Sequence, residues 1–342
     1  MHQMHRRSCR RLAAVSLALM ALLFTLPAAT LLSRAPAAMA ATVTNINFTT
    51  TWVTPDFEDI PIWVAQEKGW YKQAGLDIHV LYPPSTTTAP KLLSTGNADL
   101  GYVETSDIVE AVQQGAPVRV IAGMWEQEAN SLSGKPGTTI NPHQFGGKTF
   151  SMFAGPANVA ELNDVLRAAH VARSQVHVVI ASSDDIALML AGKVDYALNA
   201  APYAIAEVES ATGKKPALLM LSKLGLPQFL QTAYAGNTAW MAAHPAATRA
   251  FVSITLRAVE FARAHPAAAV ALFMKATGTK GGSKLYSSAG WSGVIPLLEG
   301  PEGLFKMTNS QWINLEKFLV SGKAISGTLP SPSSLYTNQY IP

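Results

Sequence analysis

Aromatic and acidic side chains recur where apolar, strand-like runs end. Trp52 with Asp56 and Asp59 follows the first such run, Tyr102 with Glu104 and Thr105 closes the third, and Trp125 with Glu126 closes the fourth. Later in the chain, Phe153, Ala154 and Gly155 follow one run, and Asn199 and Tyr203 follow another. Ring faces suit a flat heterocycle, and a carboxylate accepts from an exocyclic amine or keeps a ring nitrogen protonated where water is excluded. The candidate ligand contacts are therefore Trp52, Asp59, Tyr102, Glu104, Thr105, Trp125, Phe153, Asn199 and Tyr203. Any one of these rings would serve equally well as core, so the expectation rests on the group.

Other chemistries lack their signatures. The chain has no HExxH, G-x-S-x-G, EF-hand or GxGxxG pattern. Phe145-Gly146-Gly147-Lys148-Thr149 ends like a phosphate-binding loop, but the position of its first glycine is Pro142. Histidines 79, 143, 170, 177, 244 and 265 are scattered, and His244-Pro245 and His265-Pro266 read as helix starts with the histidines as caps. The one cysteine, Cys9, precedes the body of the chain. No catalytic residue, metal or cofactor is expected.

The elements that must position these groups alternate between strand and helix. VTNINFTT (43 to 50) is a strand, and residues 58 to 75 place Ile60, Trp63, Val64, Trp70 and Tyr71 on one helical face, stopped by Gly75. Strands follow at 76 to 83, 98 to 104 and 117 to 125, with helices at 89 to 96 and 106 to 114 between them. The polar, glycine-rich stretch 131 to 147 reads as a boundary, after which the alternation restarts and runs to PALLML at 216 to 221. Such order with short connections implies mostly parallel sheets covered on both faces. In open sheets of this kind ligands bind beyond the carboxyl ends of strands. Gly96-Asn97-Ala98-Asp99 and Gly192-Lys193-Val194-Asp195 each lead from a helix into an apolar strand, so both units use one device. Helices after residue 240 would pack back on the first unit and make it discontinuous.

Composition bounds the partners. With 49% hydrophobic and 14% charged residues the chain must bury a large core. Its net charge of +4 stems from Arg6, Arg7, Arg10, Arg11 and Arg34. The rest carries 21 basic against 22 acidic residues, which gives no footprint for nucleic acid. Those arginines flank an apolar run over 12 to 32 that ends in APAAMA, the order of a secretory leader cleaved near Ala40. An uncleaved anchor and a twin-arginine signal are the alternatives. The expectation is a periplasmic protein, stabilised without disulfides, acting as a monomer.

DIPIWVAQEKGWYKQAGLDI (59 to 78), KLLSTGNADLGY (91 to 102), QGAPVRVIAG (114 to 123) and GKVDYALNAAPY (192 to 203) resemble the NMT1/THI5-like solute-binding proteins of ABC importers. The resemblance spans nearly all of 43 to 270, within a superfamily that includes sulfonate, taurine and nitrate binders. Trp52, YPPS (82 to 85) and YTNQY (336 to 340) look most like its thiamine-pyrimidine branch, in which Trp52 would stack on the pyrimidine. That branch also holds fungal pyrimidine synthases with a lysine for pyridoxal phosphate, a consumed histidine and a cysteine tract. The matching positions here are Val103 and Asp107, with no cysteine, so a synthase lacks its chemistry. The branch's Asn-Trp pair is Thr51-Trp52, and its later acidic residue falls on Ala200 or Ala201.

The resemblance implies a type II periplasmic binding protein fold, two α/β lobes joined by a two-crossing hinge. Residues 41–135 and 236–342 would form lobe I and 136–235 lobe II, with hinges near 131 to 145 and 232 to 240. It implies a small-molecule ligand, a thiamine-precursor pyrimidine or similar heterocycle such as riboflavin, and an inner-membrane permease as partner. The alternatives are a sulfonate, taurine or nitrate binder, holding its anion on helix N-termini and hydroxyls such as Thr105, Ser106 and Asn158, an enzyme of thiamine or pyrimidine metabolism, or a signalling or scaffold module on the same fold.

Overall fold

The computed structural model describes residues 43–342 except Thr86 and 182–184. The expected leader and its cleavage point lie outside the described residues. In chain order the first part comprises β1 (Thr44–Thr49), α1 (Ile60–Glu67), α2 (Trp70–Gln73), β2 (Leu76–Leu81), α3 (Ala89–Ser94), β3 (Leu100–Glu104), α4 (Thr105–Gln113) and β4 (Val118–Trp125). The chain continues through β5 (Asn130–Gly134), β6 (Thr149–Phe153), α5 (Pro156–Ala168), β7 (His177–Ala181), α6 (Asp185–Leu190), β8 (Tyr196–Ala200), α7 (Ala201–Thr212) and β9 (Ala217–Met220). It ends with β10 (Thr232–Asn237), α8 (Thr238–Ala243), α9 (Pro245–Ala264), α10 (Pro266–Thr277), α11 (Lys284–Val294), α12 (Asn309–Ser321) and α13 (Pro332–Leu335). Among the described residues no helix is long and apolar enough to cross a membrane.

Two five-stranded sheets form, in the orders β2-β1-β3-β10-β4 and β7-β6-β8-β5-β9. In each, four strands run in one direction and one strand, β10 or β5, inserts antiparallel between two of them. The chain therefore leaves the first sheet between Trp125 and Asn130 and returns between Met220 and Thr232. Both crossings lie ahead of the expected boundaries. The stretch read as a linker contains β5, whose serines are buried: the Ser131 hydroxyl donates to the Asn199 carbonyl at 3.1 Å. Polar composition there reflects pairing on both sides rather than exposure.

The repeated Gly-x-x-Asp device has the same geometry in both sheets. Gly96 and Gly192 both take φ of +73°, the left-handed turn that only glycine adopts without strain. The Asp99 carboxylate accepts from the Asn47 backbone N–H at 2.8 Å, and the Asp195 carboxylate from that of Thr149 at 2.9 Å, so each aspartate clips its strand to the parallel neighbour, β1 or β6.

The helix expected over 58 to 75 is broken, because Gly69 takes φ of +67° between α1 and α2. The late helices pack on the first sheet: Tyr71 stacks on Phe251 of α9 with centroids 5.8 Å apart, and its hydroxyl lies 2.6 Å from that of Thr255. Helix α12 packs instead on α5 of the second sheet, where Gly322 touches the Ala160 backbone and the Asn163 amide donates to the Gly322 carbonyl at 2.6 Å. His244 and His265 stand at the N-cap positions of α9 and α10, but neither side chain caps; the His244 ring lies 3.0 Å from the Trp240 carbonyl behind it.

Candidate functional site

The carboxyl ends of β1, β3, β4, β6 and β8 converge, as do the amino ends of the antiparallel β5 and β10. Between them lies a cleft of about 680 Å³, open mouth included. Its lining includes Thr51 and Trp52 after β1, Glu104 ending β3, and Ser106 and Asp107 in the first turn of α4. Trp125, Asn130 and Gln231 come from the crossings, and Phe153, Asn158, Glu161, Asn199 and Tyr203 from the second sheet and its helices.

The rings form one wall. Trp52 meets Phe153 edge-on with centroids 5.7 Å apart, and Tyr203 tilted at 4.9 Å; Trp125 lies 6.3 Å from Tyr203. The Trp52 indole donates to Glu58 at 3.1 Å, which fixes the ring's orientation. Its half-buried face remains on the cleft. The buried indole N–H of Trp125 has no acceptor among the described residues.

Carboxyls form the other wall. Glu104, Asp107 and Glu161 all line the cleft, and no lysine, arginine or histidine does among the described residues. Burial, then the neighbouring Asp107 and Glu161, push the Glu104 carboxyl well above its ordinary range. Burial, then Glu110, push Asp107 to about 7. Burial, then Glu128, hold Glu161 well above the usual carboxylate range. A cation or a cluster of N–H donors entering this space would replace the missing counter-charge, whereas an anion would meet carboxyls at close range.

A relay of side-chain amides sets the position of Glu161. Gln231 accepts from the Ala129 N–H at 2.8 Å and donates to the Asn130 side-chain oxygen at 2.9 Å, and the Asn130 amide donates in turn to Glu161. The amide orientation puts the donor on the acid, so Glu161 points at a fixed place on the wall.

Of the nine expected contacts, Trp52, Glu104, Trp125, Phe153, Asn199 and Tyr203 line the cleft and three do not. Asp59 lies beneath it, accepting from Thr50 at 2.7 Å, from the Asp56 backbone and from Tyr82. Tyr102 is buried, its hydroxyl shared between Glu58 at 3.2 Å and Thr232 at 2.6 Å, because β10 pairs beside β3 and brings Thr232 to it. Thr105 turns its hydroxyl to the carbonyls of Leu230 and Gln231, at 2.5 and 3.0 Å. It is thus equally unavailable to an anion, while Ser106 and Asn158 do line the space. Asn199 forms wall only: its amide donates to Asp185 and its oxygen accepts from Ala200. Sequence reasoning missed Asn130, Glu161 and Gln231 as contacts. YPPS and YTNQY lie outside the cleft: Tyr82 accepts from Trp63, and Tyr336 stacks on Trp312.

Comparison with known proteins adds three findings. The family model described as NMT1/THI5 like matches residues 56–269. Among relatives, the 4-amino-5-hydroxymethyl-2-methylpyrimidine phosphate synthase of Aspergillus parasiticus is 21% identical over 66% of this chain and 68% of its own. The synthase THI13 of Saccharomyces cerevisiae is 23% identical over 65% and 68%. Among solved structures, the alkanesulfonate-binding protein SsuA from Xanthomonas axonopodis pv. citri, bound to MOPS, superposes with TM-score 0.65 at 12% identity, covering 87% of this chain and 100% of its own. The ligand-binding component of an ABC-type import system from Staphylococcus aureus gives TM-score 0.65 at 13% identity over 87% and 97%. The fold is the α/β periplasmic binding protein fold of type II.

Proposed function

The chain belongs to the NMT1/THI5-like family, and from that premise we propose that it is the extracytoplasmic solute-binding protein of an ABC importer, taking a small, flat, amine-bearing heterocycle of the aminopyrimidine type. The two sheet units act as jaws that close on the ligand and present it to a membrane permease. Contacts from both jaws exist together only in the closed form, so the ligand shifts the equilibrium by its differential affinity for that form. The observation that carries the reading is one cleft holding four rings and three carboxyls with no basic group among its described lining residues. Rings sandwich a planar molecule, Glu104, Asp107 and Glu161 accept from its amine or protonated nitrogen, and Trp125 donates to a ring acceptor.

The same observation weighs against a sulfonate or nitrate, despite the sulfonate-binding proteins of like fold. The relatives named as synthases make an enzyme the second reading. Two features favour a binder: the cleft's described lining has no lysine, histidine or cysteine, and Val103 is buried in the core on β3.

Two measurements separate them: a thermal-shift titration with excess 4-amino-5-hydroxymethyl-2-methylpyrimidine, and incubation with pyridoxal phosphate followed by mass analysis for a pyrimidine phosphate and for a modified histidine. Stabilisation by the pyrimidine, about 2.7 kcal/mol at a free concentration a hundredfold above Kd, with no pyrimidine phosphate formed, is the expected result. Formation of a pyrimidine phosphate from pyridoxal phosphate would make the protein an enzyme.

A further inference from the structure

The cleft does not end at its carboxyl wall. A surface groove of about 1100 Å³, open solvent included, adjoins it and shares three lining residues with it: Thr87, Asp107 and Gly155. The groove runs between α3, which contributes Pro90, Lys91 and Ser94, and α4, which contributes Asp107, Glu110 and Ala111 and is followed by Gln114. On α4, positions 107, 110 and 114 are spaced by three and four, hence one face of the helix. From Asp107 to Gln114 that face covers roughly 10 Å at 1.5 Å per residue, enough for a second ring or a short chain.

We infer that the ligand has two parts, a flat amine-bearing ring held in the cleft and a cationic substituent that leaves past Asp107 and lies along the groove between α3 and α4. This rests on the ring-binding reading of the cleft. The charge pattern argues for the cation. Asp107 stands at the junction and Glu110 one turn further, so the first stretch of the groove offers two carboxyls. Lys91 on the opposite helix is the single basic side chain among the described residues of its lining. Burial, then Glu110, hold the Asp107 carboxyl up, and a cation lying between the two would favour its charged form. Gln114 donates to Glu110 at 3.3 Å, keeping that carboxyl on the groove's flank. The stretch between β2 and α3 supplies Thr87, and Gly155, at φ of +136°, brings backbone rather than side chain to the junction, so the passage stays clear.

The test is calorimetric titration at pH 8 with two probes that share one ring: 4-amino-5-hydroxymethyl-2-methylpyrimidine, and thiamine, in which the same ring carries a cationic thiazolium. Thiamine is expected to bind at least tenfold more tightly. Ser94→Trp, which fills the groove, and Glu110→Gln, which removes its second carboxyl, should each erase most of that advantage, and Ser94→Trp, which lies outside the cleft lining, should leave the ring probe's affinity within twofold. Equal or weaker binding of thiamine, or an advantage that survives Ser94→Trp, would overturn the two-part ligand and leave the ring site standing. Failure of both probes to bind would overturn the ring reading and this inference with it.

Discussion

Tyr203 at the start of α7 donates its hydroxyl to Asp56 across the cleft at 3.1 Å, while its ring lies 4.9 Å from Trp52. Asp56 also accepts from Tyr286 of α11 at 2.8 Å, so one carboxyl joins the turn after β1, the second sheet's helix and a late helix. This hydrogen bond between the turn after β1 and α7 thus lies next to the Trp52 ring that lines the cleft. Tyr203→Phe keeps the ring and removes the hydroxyl's bonds to Asp56 and Glu58. It should cost closure about 1 kcal/mol, roughly fivefold in affinity, with the ligand-free protein more open by small-angle scattering. An unchanged affinity and radius of gyration would remove Asp56 as a latch.

Trp52 is held by Glu58 from behind and by Phe153 at its edge, which leaves a face for stacking. Trp52→Ala should weaken binding of an aminopyrimidine by about tenfold or more, given about 0.5–1.5 kcal/mol per aromatic pair beyond buried area. Titration calorimetry checks this, with circular dichroism to establish that the fold is kept.

Buried carboxyls set the pH dependence. Burial foremost pushes Asp59 to about 6, Asp56 and Asp107 to about 7 and Glu128 to about 8. In the unfolded chain such groups titrate near about 4. Between those values the folded chain binds more protons, so stability falls as pH rises. The ligand-free protein should therefore melt at a higher temperature at pH 5 than at pH 8. A cationic or amine-rich ligand does the reverse: its stabilising shift should grow from pH 5 to pH 8, and Asp107→Asn should flatten that growth. A melting temperature that climbs from pH 5 to pH 8 without ligand would contradict the burial of these acids.

Gly322 follows α12 at an ordinary φ of −76°, so glycine is required there by space alone, where a Cβ would meet the Ala160 backbone of α5. Gly322→Ala should lower stability by about 1–3 kcal/mol in denaturant titration, as overpacking does, and loosen the contact between α12 and the second sheet unit.

The strand-end aromatics were legible because the carboxyl edge of a parallel sheet is a ligand edge whatever the ligand, and the apolar runs before Trp52, Trp125 and Phe153 fix where that edge falls. Tyr102 and Thr105 obey the same rule and fail, because the inserted strand β10 and the segment before it, more than a hundred residues away in sequence, take up their hydroxyls. Glu161 is one acidic residue in an amphipathic helix; only the amide relay through Asn130 and Gln231, from three distant segments, gives it a direction. Short-range patterns carry the Gly-x-x-Asp clips and the order of elements. They carry neither the inserted strands nor the second carboxyl wall, which exist only once both sheets are in place.

The central claim, that the cleft selects a flat amine-bearing ring through its carboxyls, is tested most directly by one calorimetric comparison at pH 8. Wild type and Glu161→Gln are each titrated with 4-amino-5-hydroxymethyl-2-methylpyrimidine and with taurine. Saturable binding of the pyrimidine, weakened about tenfold in Glu161→Gln, with no heat from taurine, is the predicted result. Binding of taurine that strengthens when Glu161 loses its charge, with none of the pyrimidine, would contradict it.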